Sequence, residues 1–233
     1  MQTLRSALVP LLIFSFAIGA SAATKVHTVA LGAVRKVSYT PPDATKSSAS
    51  DDASTLKVRP LIVDGRQKEW TVGEMHEVTD RSFAVRRVLH LNDALPGETG
   101  AHWSWQPGPW LLVDRMTGHV TALHLPDFDP AISNAVWYRD YAAYCGLTAS
   151  GKNLYAVVAQ LGARKPVVLK ELSKWVADDH AHPACGPAEW QRQPVRVTFQ
   201  PTGGSGVSFE IVGGAAALIE EGDNSDGDDS SDR

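Results

Sequence analysis

Apolar residues recur at every second position through much of the chain, the period of a strand with one buried face. Phe83, Val85, Leu89 and Leu91 share a parity that only Arg87 interrupts, and Val120 to Leu125 alternates in the same way. Shorter apolar runs rich in strand formers stand at Trp110–Val113, Val167–Leu169, Val195–Phe199 and Val207–Val212. Further strands are expected over Val58–Val63, Trp70–Val78, Trp103–Trp105, Ala135–Leu147 and Asn153–Leu161. Pro60 inside the first of these marks an edge strand or a kink, because proline offers no N–H to a ladder. The separators are turn-forming: Asp64-Gly65, Asp80-Arg81-Ser82, the stretch from Asp114 to Gly118, Thr148 to Lys152, and Gly162 to Lys165. Pro126 to Pro130 stops the strand before it, and Asn92 to Ala101 reads as a loop. Ser173 to Val176 is assigned a single helical turn.

Strand, Ser-Gly-Lys turn, strand, short turn, strand over residues 134–171, and more loosely 103–125, resembles one blade of a β-propeller. The resemblance implies a blade-like antiparallel meander there. A closed propeller takes at least four blades of about 40 residues each, and a third repeat is not legible. The expected fold is therefore all-β: an antiparallel meander in a sandwich or half-barrel with blade-like hairpins, and disordered termini.

The ends change the picture. Arg5, the apolar run Leu8–Ala20 and the small residues Ala20-Ser21-Ala22 form the three parts of a signal peptide over residues 1–22. They predict an exported chain, periplasmic or extracellular, with no transmembrane anchor after the signal is removed. Residues 23–55 read as a flexible linker, with scattered apolar positions at Val26, Val29, Leu31 and Val34 that offer at most one early strand. Residues 56–213 are the expected single β domain, about 155 residues and enough for one core. Residues 214–233 read as a disordered acidic tail. The net charge of −4 shows no basic excess, so nucleic acid is not an expected partner.

The chain has two cysteines, Cys145 and Cys185, and in an exported protein an even count predicts a disulfide. A nucleophilic cysteine near His180 and His182, or two buried thiols, are the alternatives. His180-Ala181-His182 is a candidate zinc or copper pair, weighed against a polar surface loop. Asp127, Asp129 and Asp140 are candidate acid–base or calcium carboxylates, weighed against turn-fixing aspartates.

Aromatic residues are the densest chemical signal. Trp103, Trp105 and Trp110 fall in one cluster and Trp137, Tyr138, Tyr141 and Tyr144 in another. Along one continuous strand, Trp137 and Tyr141 would share a face and Tyr138 and Tyr144 the other. Trp103, Trp105, Trp137, Tyr138, Asp140 and Tyr141 form the candidate binding set, weighed against rings that fill the core. No nucleophile elbow, phosphate loop or zinc-protease motif is present, and no cofactor is expected. The expected function is a non-enzymatic binding or structural module of the cell envelope or extracellular space, contacting a polysaccharide or a protein. The alternative is a secreted hydrolase using Asp127, Asp129 and Asp140, with or without a metal at His180 and His182.

Overall fold

The computed structural model describes residues 26–39, 55–174, 185–202 and 204–221. The expected signal segment, most of the expected linker, the His180–His182 loop and the chain after residue 221 lie outside them. Every regular element among the described residues is a β-strand, and all strand pairs are antiparallel.

The first sheet contains β1 (Val29–Leu31), β2 (Arg35–Ser38), β3 (Thr55–Val63), β4 (Arg66–Glu77), β5 (Ser82–Asn92), β6 (Trp103–Asp114) and β7 (Val120–Ala122). Its order is β1-β3-β4-β5-β6-β7, with β2 also paired to β3. The second sheet is the meander β8 (Val136–Tyr138), β9 (Tyr141–Leu147), β10 (Asn153–Gln160) and β11 (Val168–Lys174). The third is a further meander, β12 (Glu189–Arg192), β13 (Val195–Phe199), β14 (Val207–Val212) and β15 (Ala215–Glu221).

Several boundaries move from those expected. β1 and β2 lie in the stretch assigned to the linker, and β15 lies in the stretch assigned to the acidic tail. β1 and β2 have short hydrophobic patterns and pair with β3, while β15 is an apolar run that pairs with β14. Ser173 and Lys174 continue strand β11 rather than starting a helical turn. Trp103–Trp105 and Trp110–Val113 are one strand, β6, carried through Pro107-Gly108-Pro109 at a register shift between Arg86 and Val88 of its partner β5. That irregularity also breaks the expected parity of β5, so that Val85 and Val88 are both buried while Leu89 is half-buried. Pro60 is in an interior strand rather than at an edge. It pairs with Trp70 on one side, and on the other it faces the gap between β1 and β2, where no N–H is demanded of it. Gly32, in that gap, donates its N–H to the Pro60 carbonyl at 2.8 Å.

The first sheet curls into an open half-barrel. The Gly118 turn after β6 packs against Val63 at the end of β3, three strands away in the sheet order. At the opposite end, Tyr39 following β2 bridges Trp105 on β6. The curl buries Leu61, Phe83, Val85, Leu111 and Val113 on its concave side. On the convex side, Ala84 and Trp110 pack against Ala142, Tyr144, Val157 and Ala159 of the second sheet. The second sheet's other face, with Ala143, Cys145, Ala156 and Val158, packs on Val197, Phe199, Phe209 and Ile211 of the third. The molecule is a stack of three sheets, and the middle one is covered on both faces.

Candidate functional site

The candidate aromatic set divides into two groups, and no ring contact joins them among the described residues. The first lies on the β5–β6 hairpin. Cross-strand register sets His90 opposite Trp105, and alternation puts Trp103 on the same face. The His90 ring stacks on Trp105 at 4.3 Å and 16°, and lies 5.0 Å from Trp103 at a tilt of 35°. Trp105 is half-buried, meeting Trp70 edge-on at 5.5 Å and joining Val58, Val88 and Val37 in the small core at this end of the half-barrel. His90 is exposed and Trp103 is 58% exposed. An anchored ring thus carries two open ones.

The loop Asp93–His102 closes this hairpin next to the rings in sequence. Asn92 Oδ1 accepts from the His102 N–H at 2.8 Å, and Glu98 Oε2 accepts from the Leu95 N–H at 2.8 Å. Leu95 projects from it, 67% exposed.

The second group binds sheets to one another. β8 and β9 are not one strand: Arg139 and Asp140 form a two-residue turn, Arg139 with a φ of 54°, and Tyr138 pairs with Tyr141. A hairpin reverses the parity count, so Tyr138 and Tyr141 share a face, opposite Trp137 and Tyr144. Trp137 meets Trp110 edge-on at 5.2 Å and stacks on His76 at 5.6 Å, between the first and second sheets. His76 Nε2 donates to the Arg139 carbonyl at 2.7 Å. Tyr138 and Tyr141 pack on Trp190 of the third sheet at 5.4 and 6.3 Å, and the Trp190 indole N–H donates to the Val136 carbonyl at 3.0 Å. Tyr144 is fully buried and donates to the Pro126 carbonyl at 2.6 Å; burial pushes its phenol far above the ordinary range. These rings are core and seam.

The candidate carboxylates do not converge in these contacts, and one of them holds the backbone. Asp129 Oδ1 accepts from the Ala131 N–H at 2.8 Å, a turn-fixing contact. Asp140 Oδ2 accepts from the Gln160 side chain at 2.9 Å. Asp127 has a φ of 52°, and its carbonyl accepts from the Leu147 N–H at 2.9 Å. Among the described residues, no group of three His, Cys, Asp or Glu is placed to hold a metal ion. His180 and His182 lie outside the described residues. Cys145 and Cys185 are joined in a disulfide with a Cα–Cα distance of 6.1 Å, tying the middle sheet to the chain entering β12.

Sequence reasoning missed His90 and Trp70, which complete the ring group around Trp105. The signal that could have found His90 is its place near the end of β5, two residues before Asn92 and the loop, opposite a Trp-Ser-Trp run. No protein-family model, curated protein or solved structure matches this chain.

Proposed function

We propose that this protein is a non-enzymatic binding module of the cell envelope or extracellular space, and that the His90–Trp103–Trp105 platform contacts a polysaccharide. The observation that carries the reading is Trp103, a large ring 58% exposed yet held against His90 and, through it, the anchored Trp105. Rings exposed without support are usual on surfaces singly; a stacked and buttressed pair is a surface whose shape is kept for a partner. Flat aromatic faces suit the apolar faces of pyranose rings, and the adjoining polar loop supplies hydrogen-bonding groups at its rim. The disulfide is compatible with an oxidising, exported compartment.

Titration with cell-wall oligosaccharides, read by tryptophan fluorescence and by the unfolding midpoint, tests this. Binding raises the midpoint by mass action. Trp103→Ala is expected to abolish the ligand-induced rise while leaving the ligand-free midpoint within a few degrees, because an exposed side chain contributes roughly 0.5 kcal/mol or less. A rise that survives both Trp103→Ala and Trp105→Ala, or no rise with any oligosaccharide, overturns the reading.

A further inference from the structure

We infer that a cleft at the other end of the half-barrel binds a phosphate-type tetrahedral oxyanion, free or carried as a monoester on a larger molecule. The cleft has a volume of about 610 Å³ and lies where the β3–β4 hairpin, the chain entering β1 and the β6–β7 turn converge. It does not depend on the aromatic platform.

Its polar lining is built by local backbone chemistry. Asp64-Gly65 is a two-residue hairpin turn with φ of 52° and 73°, both in the left-handed region that such turns demand. The turn points the Asp64 carboxylate back at the chain entering β1: Oδ1 accepts from the Thr28 N–H at 3.1 Å and Oδ2 lies 2.9 Å from His27 Nδ1. The one carboxylate of the lining is therefore already paired with one of its imidazoles. Beyond the turn, Ile62 pairs with Gln67 and Leu61 with Glu69, so Lys68 is the extra residue of a β-bulge. Bulges re-aim side chains. Lys68 lines the cleft, while its neighbour Glu69 is bonded to Arg87 at 2.9 Å.

Arg66, Lys68 and His119 line the same cleft, and none of their side chains has a hydrogen bond or ion pair with a described residue. Opposite them, the Gly118 turn closes down on His27. A Cβ at Gly118 would lie 2.8 Å from Val63 Cγ1 and 3.0 Å from His27 Nδ1, so the wall leaves no room for a side chain. Thr117 beside it also lines the cleft, and its hydroxyl accepts from the His119 N–H at 3.3 Å.

Beside the His27–Asp64 pair, the cleft therefore holds the guanidinium of Arg66, the ammonium of Lys68 and the imidazole of His119, in a chain whose net charge is −4. Val63 and Val120 add apolar surface to the lining, and a cleft in which cationic side chains outnumber the carboxylate draws an entering anion. A guanidinium fork and an ammonium point charge together match the several oxygens of a phosphate group.

The full chain is titrated with inorganic phosphate and with glycerol phosphate, each against sodium chloride at equal ionic strength, reading the unfolding midpoint and the ³¹P linewidth. The expected result is a midpoint rise and line broadening beyond the chloride control. Arg66→Ala/Lys68→Ala should weaken the affinity by about tenfold or more. Both residues are exposed, and Glu74→Ala is the surface control expected to leave the affinity unchanged. Response to glycerol phosphate alone assigns a carried phosphate, and response to both assigns the group itself. Equal responses to phosphate and chloride, or an undiminished response in the double variant, overturn the inference. Trp103→Ala is expected to leave this response intact, which separates its failure from that of the aromatic platform.

Discussion

Gly146 is the penultimate residue of β9, and the backbone of the Pro126–Pro130 loop lies directly on it. A Cβ there would stand 2.7 Å from the Asp127 carbonyl oxygen and 3.2 Å from Val157 Cγ2. The first of these is a backbone atom, and it also accepts from the Leu147 N–H at 2.9 Å, so it cannot give way. Gly146→Ala should destabilise by about 1–3 kcal/mol, the cost of overpacking a closed core, measured by urea unfolding. Gly151→Ala is the contrast. Gly151 has a φ of 68° and open space around it, so only the left-handed backbone term of roughly 1 kcal/mol applies. At the surface, Arg115 grips Glu77 with two hydrogen bonds of 2.6 Å. Those bonds hold Glu77 below its ordinary value of 4.5, with partial burial pushing the other way. A depressed carboxyl stabilises the fold above its ordinary value, and that contribution is lost as pH falls through the lowered one. The urea midpoint of Glu77→Gln should therefore fall less than that of the unaltered protein between about pH 6 and about pH 3.

Hairpins decide which side chains meet. Two-residue turns at Asp64-Gly65 and Arg139-Asp140 each return the chain with paired residues on one face, Val63 with Arg66 and Tyr138 with Tyr141. The second turn sends Tyr138 and Tyr141 together onto Trp190, and this joins the second sheet to the third. The disulfide reinforces the same joint from the other end of β9, across a sequence separation of 40. In the chain-entropy model, closing a loop of that length stabilises by about 3–4 kcal/mol. Cys145→Ala/Cys185→Ala should lower the unfolding free energy by that order, and dithiothreitol should lower the midpoint of the unaltered protein but not that of the double variant. Equal midpoints with and without reductant would count against the bridge.

Across the whole molecule, the middle sheet carries the cooperativity. Val157 faces the half-barrel and Val158 faces the third sheet, and both are fully buried. Truncating either to alanine should cost about 2 kcal/mol from lost burial and the cavity left behind. Because each sheet borrows its core from the next, the loss should be felt globally. Tryptophan fluorescence and far-UV circular dichroism should give coincident single transitions for both variants. A separate early transition in Val158→Ala would show that the third sheet unfolds alone.

The sequence by itself determined the strand class, most strand positions, most of the turns but not Arg139-Asp140, and the cysteine pair. Alternation and turn chemistry are local, and β13 and β14 match the expected Val195–Phe199 and Val207–Val212 residue for residue. It also singled out the aromatic residues, but could not sort them. Trp103 and Trp137 read alike in the chain; one is open to solvent and the other wedged against Trp110, because sheet stacking covers the second and not the first. Only the tertiary structure ordered β1, β2 and β15, which form strands on a partner's ladder, β1 and β2 with few apolar residues of their own and β15 with a run of alanines before Leu218 and Ile219. Only it drew His27, Lys68 and His119 to one cleft from three separate segments, since the curl of a sheet depends on contacts that no local pattern records.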